Sequence, residues 1–409
     1  MRNTMERNRE YEKLIIDYAK KNYKKMFREP AGFLKYKFIV PGSVYSDSLW
    51  DWDSWLTDIA LDKICAGEEL FEYEKGCVLN FCEYVDGRGQ MPITVMPNVI
   101  NPSFGEKETN IHKPCLAIHA LFISRKNKSF EWLKPVYSKI ESYIQFYLKN
   151  CRHETGLFFW IDDYAIGVDN DPCTFYRPKK SSLSIYLNCM MYKEFNAIAE
   201  ISGKLGREEN KIGYKKYADE LKAAIQSCLW DERNGFFYSA DANLLSIDKT
   251  QWLHSGAPRN WSALIQKIDV WSGFMAMWAE IASSEQAKRM VYENYMNIKT
   301  FNAPYGVRTL SKLEKMYQLV KSGNPSCWLG PVWGISNYMV FDGLVKYGYE
   351  KEAYELAVKT VNLFGRDIER CGEMHEYYNP ETGEGINNPG FQNWNLLVLN
   401  MIDWLENRL

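Results

Sequence analysis

Ser184-Ile-Tyr-Leu-Asn-Cys-Met-Met-Tyr-Lys-Glu-Phe-Asn-Ala-Ile-Ala-Glu-Ile-Ser-Gly-Lys204 carries the signature of the whole fold. Leu187, Met190, Met191, Phe195, Ile198 and Ile201 recur three and four residues apart, which lines them along one face of a helix. Ser184 suits a helix start, and Leu205-Gly206 breaks the pattern before a second helical run over 208–229. The unit is a helical hairpin, and it recurs along the chain. The spacing predicts helices near 5–27, 53–66, 69–86, 113–124, 129–150, 184–204, 208–229, 270–281, 284–296, 333–347, 349–370 and 392–407. Strand-like pieces are short: 34–40, 157–161, and 235–239 after the turn Asp231-Glu-Arg-Asn-Gly235. Twelve helices in hairpins imply six pairs closed into a ring. The predicted fold class is all-α, an (α/α)6 barrel with a few short β-hairpins in its loops. No linker rich in Pro, Gly or Ser divides the chain, so residues 1–409 are expected to form one domain. The long loops at 87–112, 160–183, 239–269 and 298–328 are the places to look for function.

Composition narrows the class. Fifty basic residues nearly balance 52 acidic ones, so neither a nucleic-acid stripe nor a disordered acidic tail is expected. Ten cysteines lie scattered without a CxxC pair or zinc spacing, and the five histidines are dispersed. No metal, and with no GxGxxG or phosphate-loop motif no nucleotide cofactor, is expected. The charged N-terminus and the absence of a long apolar run predict a reduced, cytoplasmic protein without a membrane partner. Charge and composition leave the oligomeric state open. Aromatic residues make up 15% of the chain, with 14 Trp and 27 Tyr. A large core would use many of these rings, and stacking on the apolar faces of sugars would use others.

The C-terminal eighty-odd residues sharpen the second possibility. They contain Cys327-Trp-Leu-Gly-Pro-Val-Trp333, then His375-Glu-Tyr-Tyr-Asn-Pro-Glu-Thr-Gly-Glu-Gly385, then Phe391 and Trp394. Glycoside hydrolysis commonly needs two carboxyl groups, one to protonate the leaving oxygen and one to activate water or attack. Asp169, in Gly167-Val-Asp-Asn-Asp-Pro172, is one candidate; the turn could project it from a loop, or could simply use it to bind its own backbone. Asp162, Asp163 and Asp171 are local rivals. Glu376 is the other candidate, and a surface glutamate beside core tyrosines is the plain alternative. Leu49-Trp-Asp-Trp-Asp-Ser-Trp55 offers Trp50 and Trp52 for stacking and Asp53 for hydroxyl groups, unless its acids serve only the helix dipole. Trp160 supplies an aromatic platform upstream of Asp169, Asn170 follows it, and Glu384 is a second acid in the Glu376 loop. Gln90 and His112 are weaker polar candidates from one loop.

Together these elements resemble the clan of (α/α)6 inverting glycosidases that contains glycoside hydrolase family 63 and the family 37 trehalases. Trp52-Asp53-Ser54 is similar to the clan's early Trp-Asp-Ser. Gly167 to Pro172 resembles Gly-x-Asp-Asn-Ser-Pro around its general acid. Cys327 to Trp333 resembles Tyr-Trp-Arg-Gly-Pro-x-Trp, and Glu376 to Gly383 with Phe391 and Trp394 follows Glu-x-Tyr-(Asp/Asn)-Pro-x-Thr-Gly. The likeness spans almost the whole chain. It implies an inverting, exo-acting α-glycosidase, most simply an α-glucosidase, with Asp169 as general acid and Glu376 as general base. It implies a pocket lined by Trp52, Asp53, Trp328 and Tyr377 and a small carbohydrate substrate, with no nucleic-acid or membrane partner; Trp333 is a further candidate for sugar contact. There are departures: Leu329 replaces the usual Arg, His112-Lys113-Pro114 replaces Gln-Pro-Pro, Pro92-Ile93 replaces Pro-Asn, and Tyr186 replaces an Asp. They put the clan's usual leaving-group contacts in question and make trehalase a less natural match, since its arginine-rich pocket is not visible here; a hydrolase of mannosylglycerate or glucosylglycerate, or a trehalase, is the alternative to an α-glucosidase. A sugar epimerase or isomerase, or a non-catalytic carbohydrate binder, would fit the same fold.

Overall fold

The computed structural model describes residues 2–65, 67–100, 111–164, 166–175, 177–244, 252–253, 261–320 and 323–408. Among them are twelve helices: α1 (Arg2–Asn22), α2 (Asp51–Leu61), α3 (Glu68–Cys82), α4 (Leu116–Lys126), α5 (Tyr137–Asn150), α6 (Ile185–Lys204), α7 (Glu208–Leu229), α8 (Met275–Trp278), α9 (Ser284–Arg289), α10 (Gly334–Lys346), α11 (Glu350–Cys371) and α12 (Val398–Glu406). The even-numbered helices close a ring. α2 packs on α4, α4 on α6, α6 on α8, and α8 on α10. α10 then meets the 3-10 turn Asn393–Leu397, which leads into α12 and packs back on α2. Odd-numbered helices lie outside: α3 on α4, α7 on α6, α11 on α10 and α12, and α1 on α11. This is the (α/α)6 barrel expected.

Burial separates the two rings. α2 buries ten of its eleven residues, whereas α7 buries six of 22. The α6 stripe of Leu187, Met190, Met191, Phe195, Ile198 and Ile201 is at most 1% exposed. Each such side chain contributes roughly 1.5–3 kcal/mol by leaving water. The hydroxyl of Ser184 caps α6 by accepting from the Leu187 amide. The helix expected over 129–150 is interrupted. Pro135 cannot donate a backbone hydrogen bond, and a 3-10 turn at Glu131–Leu133 precedes α5. The strand expected at 157–161 is only a bridge between Arg152 and Phe158, whereas the 235–239 piece does form a hairpin arm, Phe236–Phe237 against Trp230–Asp231.

Short strands gather where the inner helices begin. Leu49–Trp50 runs into α2 and pairs with Thr94–Val95. Val332–Trp333 runs into α10 and pairs with Tyr377–Tyr378, which pairs in turn with Gly385–Ile386. Ser182–Leu183 precedes α6 and pairs with Ala240–Asp241. These pairings tie down the loops at one end of the ring, the end toward which the inner helices point their N-termini.

Candidate active site

Glu376 begins the strand-like turn that pairs with Val332–Trp333, and it is only 4% exposed. Its carboxylate accepts from Asn388 Nδ2 at 2.6 Å, Asn387 Nδ2 at 3.0 Å and the Tyr45 hydroxyl at 3.4 Å. Both asparagines sit in the left-handed region, φ 64° and 40°, a conformation Asn tolerates better than most residues. Burial pushes the Glu376 carboxyl up to about 7, against the pull of those three donors. The charge of Asp169 raises it further, which places the two acids within electrostatic reach across 207 residues of sequence (376 − 169).

Asp169 stands on the turn after Gly167. That glycine has φ 72°, and a Cβ there would lie 2.8 Å from the Trp52 ring and 2.7 Å from Lys113 Cε. Only glycine lets the turn press so closely on α2. Asp169 is partly exposed and accepts from Asn324 Nδ2 at 3.3 Å. Burial holds its carboxyl above the usual range, while Asn324, Ser326 and Lys113 oppose that shift. Asn170 accepts the Trp328 amide at 2.7 Å and so ties this turn to the Cys327–Trp333 segment. Asp171 is buried and turned onto the Cys173 amide and Thr174, a structural role in its own turn.

Tyr45 marks where the acids converge. After burial, the charges of Glu376, Asp169 and Asp53 all raise its hydroxyl pKa. Asp53, on the first turn of α2, is buried and accepts a hydrogen bond from Asn393. Thr57 donates to Asn393 Oδ1 at 3.0 Å, so α2 and the last inner element hold this carboxylate together. Burial pushes Asp53 up to about 8, and Lys113 works against it.

The aromatic residues form a connected wall. Trp328 stacks on Trp333 at 3.9 Å with an interplanar angle of 8°. Trp271 lies on the other side of Trp328 at 6.1 Å, and Tyr377 beyond Trp333 at 4.8 Å. Trp52 meets Trp394 edge-on at 5.1 Å and Trp328 at 6.3 Å. The rings therefore cover much of each other's faces, and near-parallel stacking fixes their edges in place. Trp160 packs on Tyr186, and Trp50 meets Tyr45 edge-on.

Three of the residues singled out from sequence lie differently. His112 is wedged between Phe81 and Tyr143, with Nδ1 2.6 Å from the Lys113 carbonyl oxygen; burial pushes its imidazole down to about 4. Gln90 accepts from Arg88 in the turn that starts at Asp86. Glu384 is exposed and accepts from Thr382.

Sequence reasoning missed Tyr45, Asn324, Asn387, Asn388 and Asn393, which hold the carboxylates. The run Asn387-Asn-Pro-Gly390 was the legible signal, since such residues mark turns with unusual backbone angles. It also missed the buried pair of Lys113 and Asp51, at 2.9 Å and at most 1% exposed. Lys113 Nζ lies 5.0 Å from the Trp52 ring centre, directly behind the Asp53 turn.

Comparison with known proteins agrees with this architecture. Mannosylglycerate hydrolase MGH1 of Selaginella moellendorffii is 23% identical over 408 aligned residues, covering 85% of this chain and 78% of its own. The cytosolic neutral trehalase of Kluyveromyces lactis is 29% identical over 172 residues, covering 42% of this chain. The aligned regions span only 20% of that trehalase's length and 47% of the length of a similar Borreliella burgdorferi protein. The crystal structure of the family 63 mannosylglycerate hydrolase from Thermus thermophilus in complex with glucose has the same fold, with a TM-score of 0.67 at 17% identity. The match covers 92% of this chain and 97% of that one. Residues 49–394, from the strand before α2 to the last tryptophan of the wall, match one family throughout: the chain belongs to the mannosylglycerate hydrolase MGH1-like glycoside hydrolase domain family.

Proposed function

We propose that this protein is an inverting, exo-acting α-glycosidase that removes one terminal sugar from a small glycoside. The observation that carries this reading is the buried Glu376 carboxyl, held by Asn388, Asn387 and Tyr45 at the N-terminal end of the inner ring, with the charge of Asp169 close enough to raise it. Glu376 is the general base. Its three side-chain donors favour the carboxylate form, which a base needs to draw a proton from water. Asp169 is the general acid. Its turn is less enclosed, and burial favours the protonated form that can donate to the leaving oxygen. Attack by water on the face opposite the leaving group then inverts the anomeric centre.

Asp53 reads sugar hydroxyls, held in place by Asn393 and Thr57. The tryptophan wall, whose rings are at most 5% exposed, gives the site a rigid apolar backing. Glycosides of glycerate are the first substrates to test, because the family and the Selaginella relative are named for mannosylglycerate hydrolysis. Trehalose is the second reading, supported by the likeness to the yeast trehalase. Leu329 weighs against it: it is 3% exposed and stands where the clan resemblance places an arginine.

The test is a panel of mannosylglycerate, glucosylglycerate, trehalose and other α-linked disaccharides, followed by proton NMR in real time. Release of the β-anomer first supports the reading. Release of the α-anomer first would reject inversion, and an isomerised sugar would move the protein to another reaction.

A further inference from the structure

Asp367 is a buried acid that the proposed chemistry does not use. It stands near the C-terminal end of α11, on the outer ring, with its side chain 1% exposed. A buried carboxylate is costly unless donors meet it. Among the described residues, every hydrogen bond that Asp367 accepts comes from the stretch that carries Glu376. The His375 amide lies 3.1 Å from its Oδ2, His375 Nδ1 2.8 Å and the Tyr378 hydroxyl 2.9 Å. The Tyr378 hydroxyl shares the His375 amide at 2.8 Å. Oδ1 is buried without a partner. The whole bonding of this carboxylate therefore braces the residue before Glu376 and the residue two after it.

Other elements complete the clamp. Asn395, in the 3-10 turn before α12, donates to the His375 carbonyl oxygen at 2.7 Å. The His375 ring lies over Gly385, where a Cβ would come within 2.3 Å of it. Residue 375 is thus held at its amide, its carbonyl and its ring, from three different elements. Glu376 follows directly. Its amide donates to the Asn387 carbonyl oxygen at 3.2 Å, and its carboxylate meets Asn387, Asn388 and Tyr45. Those three donors reach the carboxylate only if the backbone presents it correctly. A misplacement of about 1 Å in a reacting group can cost on the order of a hundredfold in rate.

We propose that Asp367 and His375 are positioning residues for the general base: acting from the outer ring, they fix the peptide before Glu376 and so hold its carboxylate against Asn387, Asn388 and Tyr45. The inference rests on the reading of Glu376 as that base. Both residues act through Glu376 and not on the sugar.

The charged and titratable groups around the two acids differ. Glu376 faces Asp169, Tyr45 and Tyr377. Asp367 faces His375, Tyr378, Tyr18 of α1 and Arg370, with Glu373 beyond Tyr18. Burial pushes all four phenols up, so they stay neutral near pH 7. Two effects of removing Asp367 then have opposite signs. Loss of a like charge would lower the Glu376 pKa, whereas loss of the clamp loosens its three donors and raises it.

The test is the pH profile of kcat and kcat/KM for a glycoside that the panel above shows to be turned over. Asp367→Leu and His375→Leu should each lower kcat about tenfold or more with KM within about twofold. In both, the acidic limb should move up by about half a pH unit or more. Asp367→Asn offers an acceptor oxygen in the same place, and His375→Asn a donor near Nδ1, so these two should keep the limb and most of kcat. Activity lost with the limb unmoved makes the clamp merely structural. A limb that moves down reports only the removed charge, and one that vanishes in His375→Asn makes His375 the titrating group. Each of these overturns the proposal. Glu376→Gln is run beside them: wild-type turnover there rejects the base reading itself, whatever the Asp367 variants do. A panel without turnover removes that reading and this inference with it.

Discussion

Replacing Lys113 by methionine tests how the barrel holds its carboxylate end. Lys113 Nζ lies 2.9 and 3.1 Å from the two oxygens of Asp51, and neither side chain is more than 1% exposed. Asp51 also accepts the backbone amides of Trp52 and Lys113. Methionine fills a similar volume, so the cost is electrostatic: a buried carboxylate loses its paired cation. Breaking such a pair typically costs about 3–5 kcal/mol. At about 2.1 cal/mol/K per residue, 409 residues unfold with an entropy near 0.86 kcal/mol/K, so the melting temperature should fall by about 3.5–6 °C. Lys35→Met is the control. It removes an ion pair with Glu83 whose side chains are 56% and 31% exposed, and about 1 °C or less is expected. Calorimetry of both variants at pH 7 decides the matter. If Lys113→Met melts no lower than Lys35→Met, the buried pair contributes nothing beyond a surface one, and the account of what sets the Trp52–Asp53 turn fails.

Other consequences are direct. Glu376→Gln and Asp169→Asn should each lower kcat by a hundredfold or more while leaving the fold intact by circular dichroism. Because the base must be ionised, kcat/KM should fall as pH drops below about 7, where Glu376 takes up a proton. Asn388→Ala removes a donor that favours the charged form, so this acidic limb should move to higher pH; an unmoved limb would detach Glu376 from it. Asn393→Leu leaves Asp53 without its side-chain donor, and KM should rise several-fold with the acidic limb unchanged.

The fold was legible because helical periodicity is local. Each of the twelve runs needs only its own apolar stripe, and α6 shows it without interruption. The boundaries that slipped did so at proline, as before α5, or where a helix is cut short, as at α8, where Glu280 turns into positive φ. The candidate acids could be picked out because their motifs are contiguous. Their supports were not. Tyr45 reaches Glu376 across 331 positions, and Asn393 reaches Asp53 across 340. No periodicity encodes such pairings; they exist only once the ring closes. The tryptophan wall was half legible. Sequence marked Trp328 and Trp333 as surfaces for sugar, but their mutual stacking could be seen only in three dimensions.

The two carboxylates still need a reason to carry different protons. In the free protein burial raises both carboxyls and hydrogen bonds oppose it at both. Glu376 has three side-chain donors and is deeply buried; Asp169 has Asn324 at 3.3 Å, Ser326 and the charge of Lys113, and its residue is more exposed. A sugar entering the site changes the balance on one side only. It displaces water from the more exposed Asp169 and adds burial there, while Glu376, already enclosed, gains little. Asp169 is thereby pushed further up, toward the protonated form an acid needs, and the charge settles on Glu376. The expected signature is an alkaline limb that lies at higher pH in kcat than in kcat/KM, because the first reports the complex and the second the free enzyme. Coincident alkaline limbs would mean that the substrate does not complete the assignment, and that the asymmetry between acid and base must already exist in the empty site.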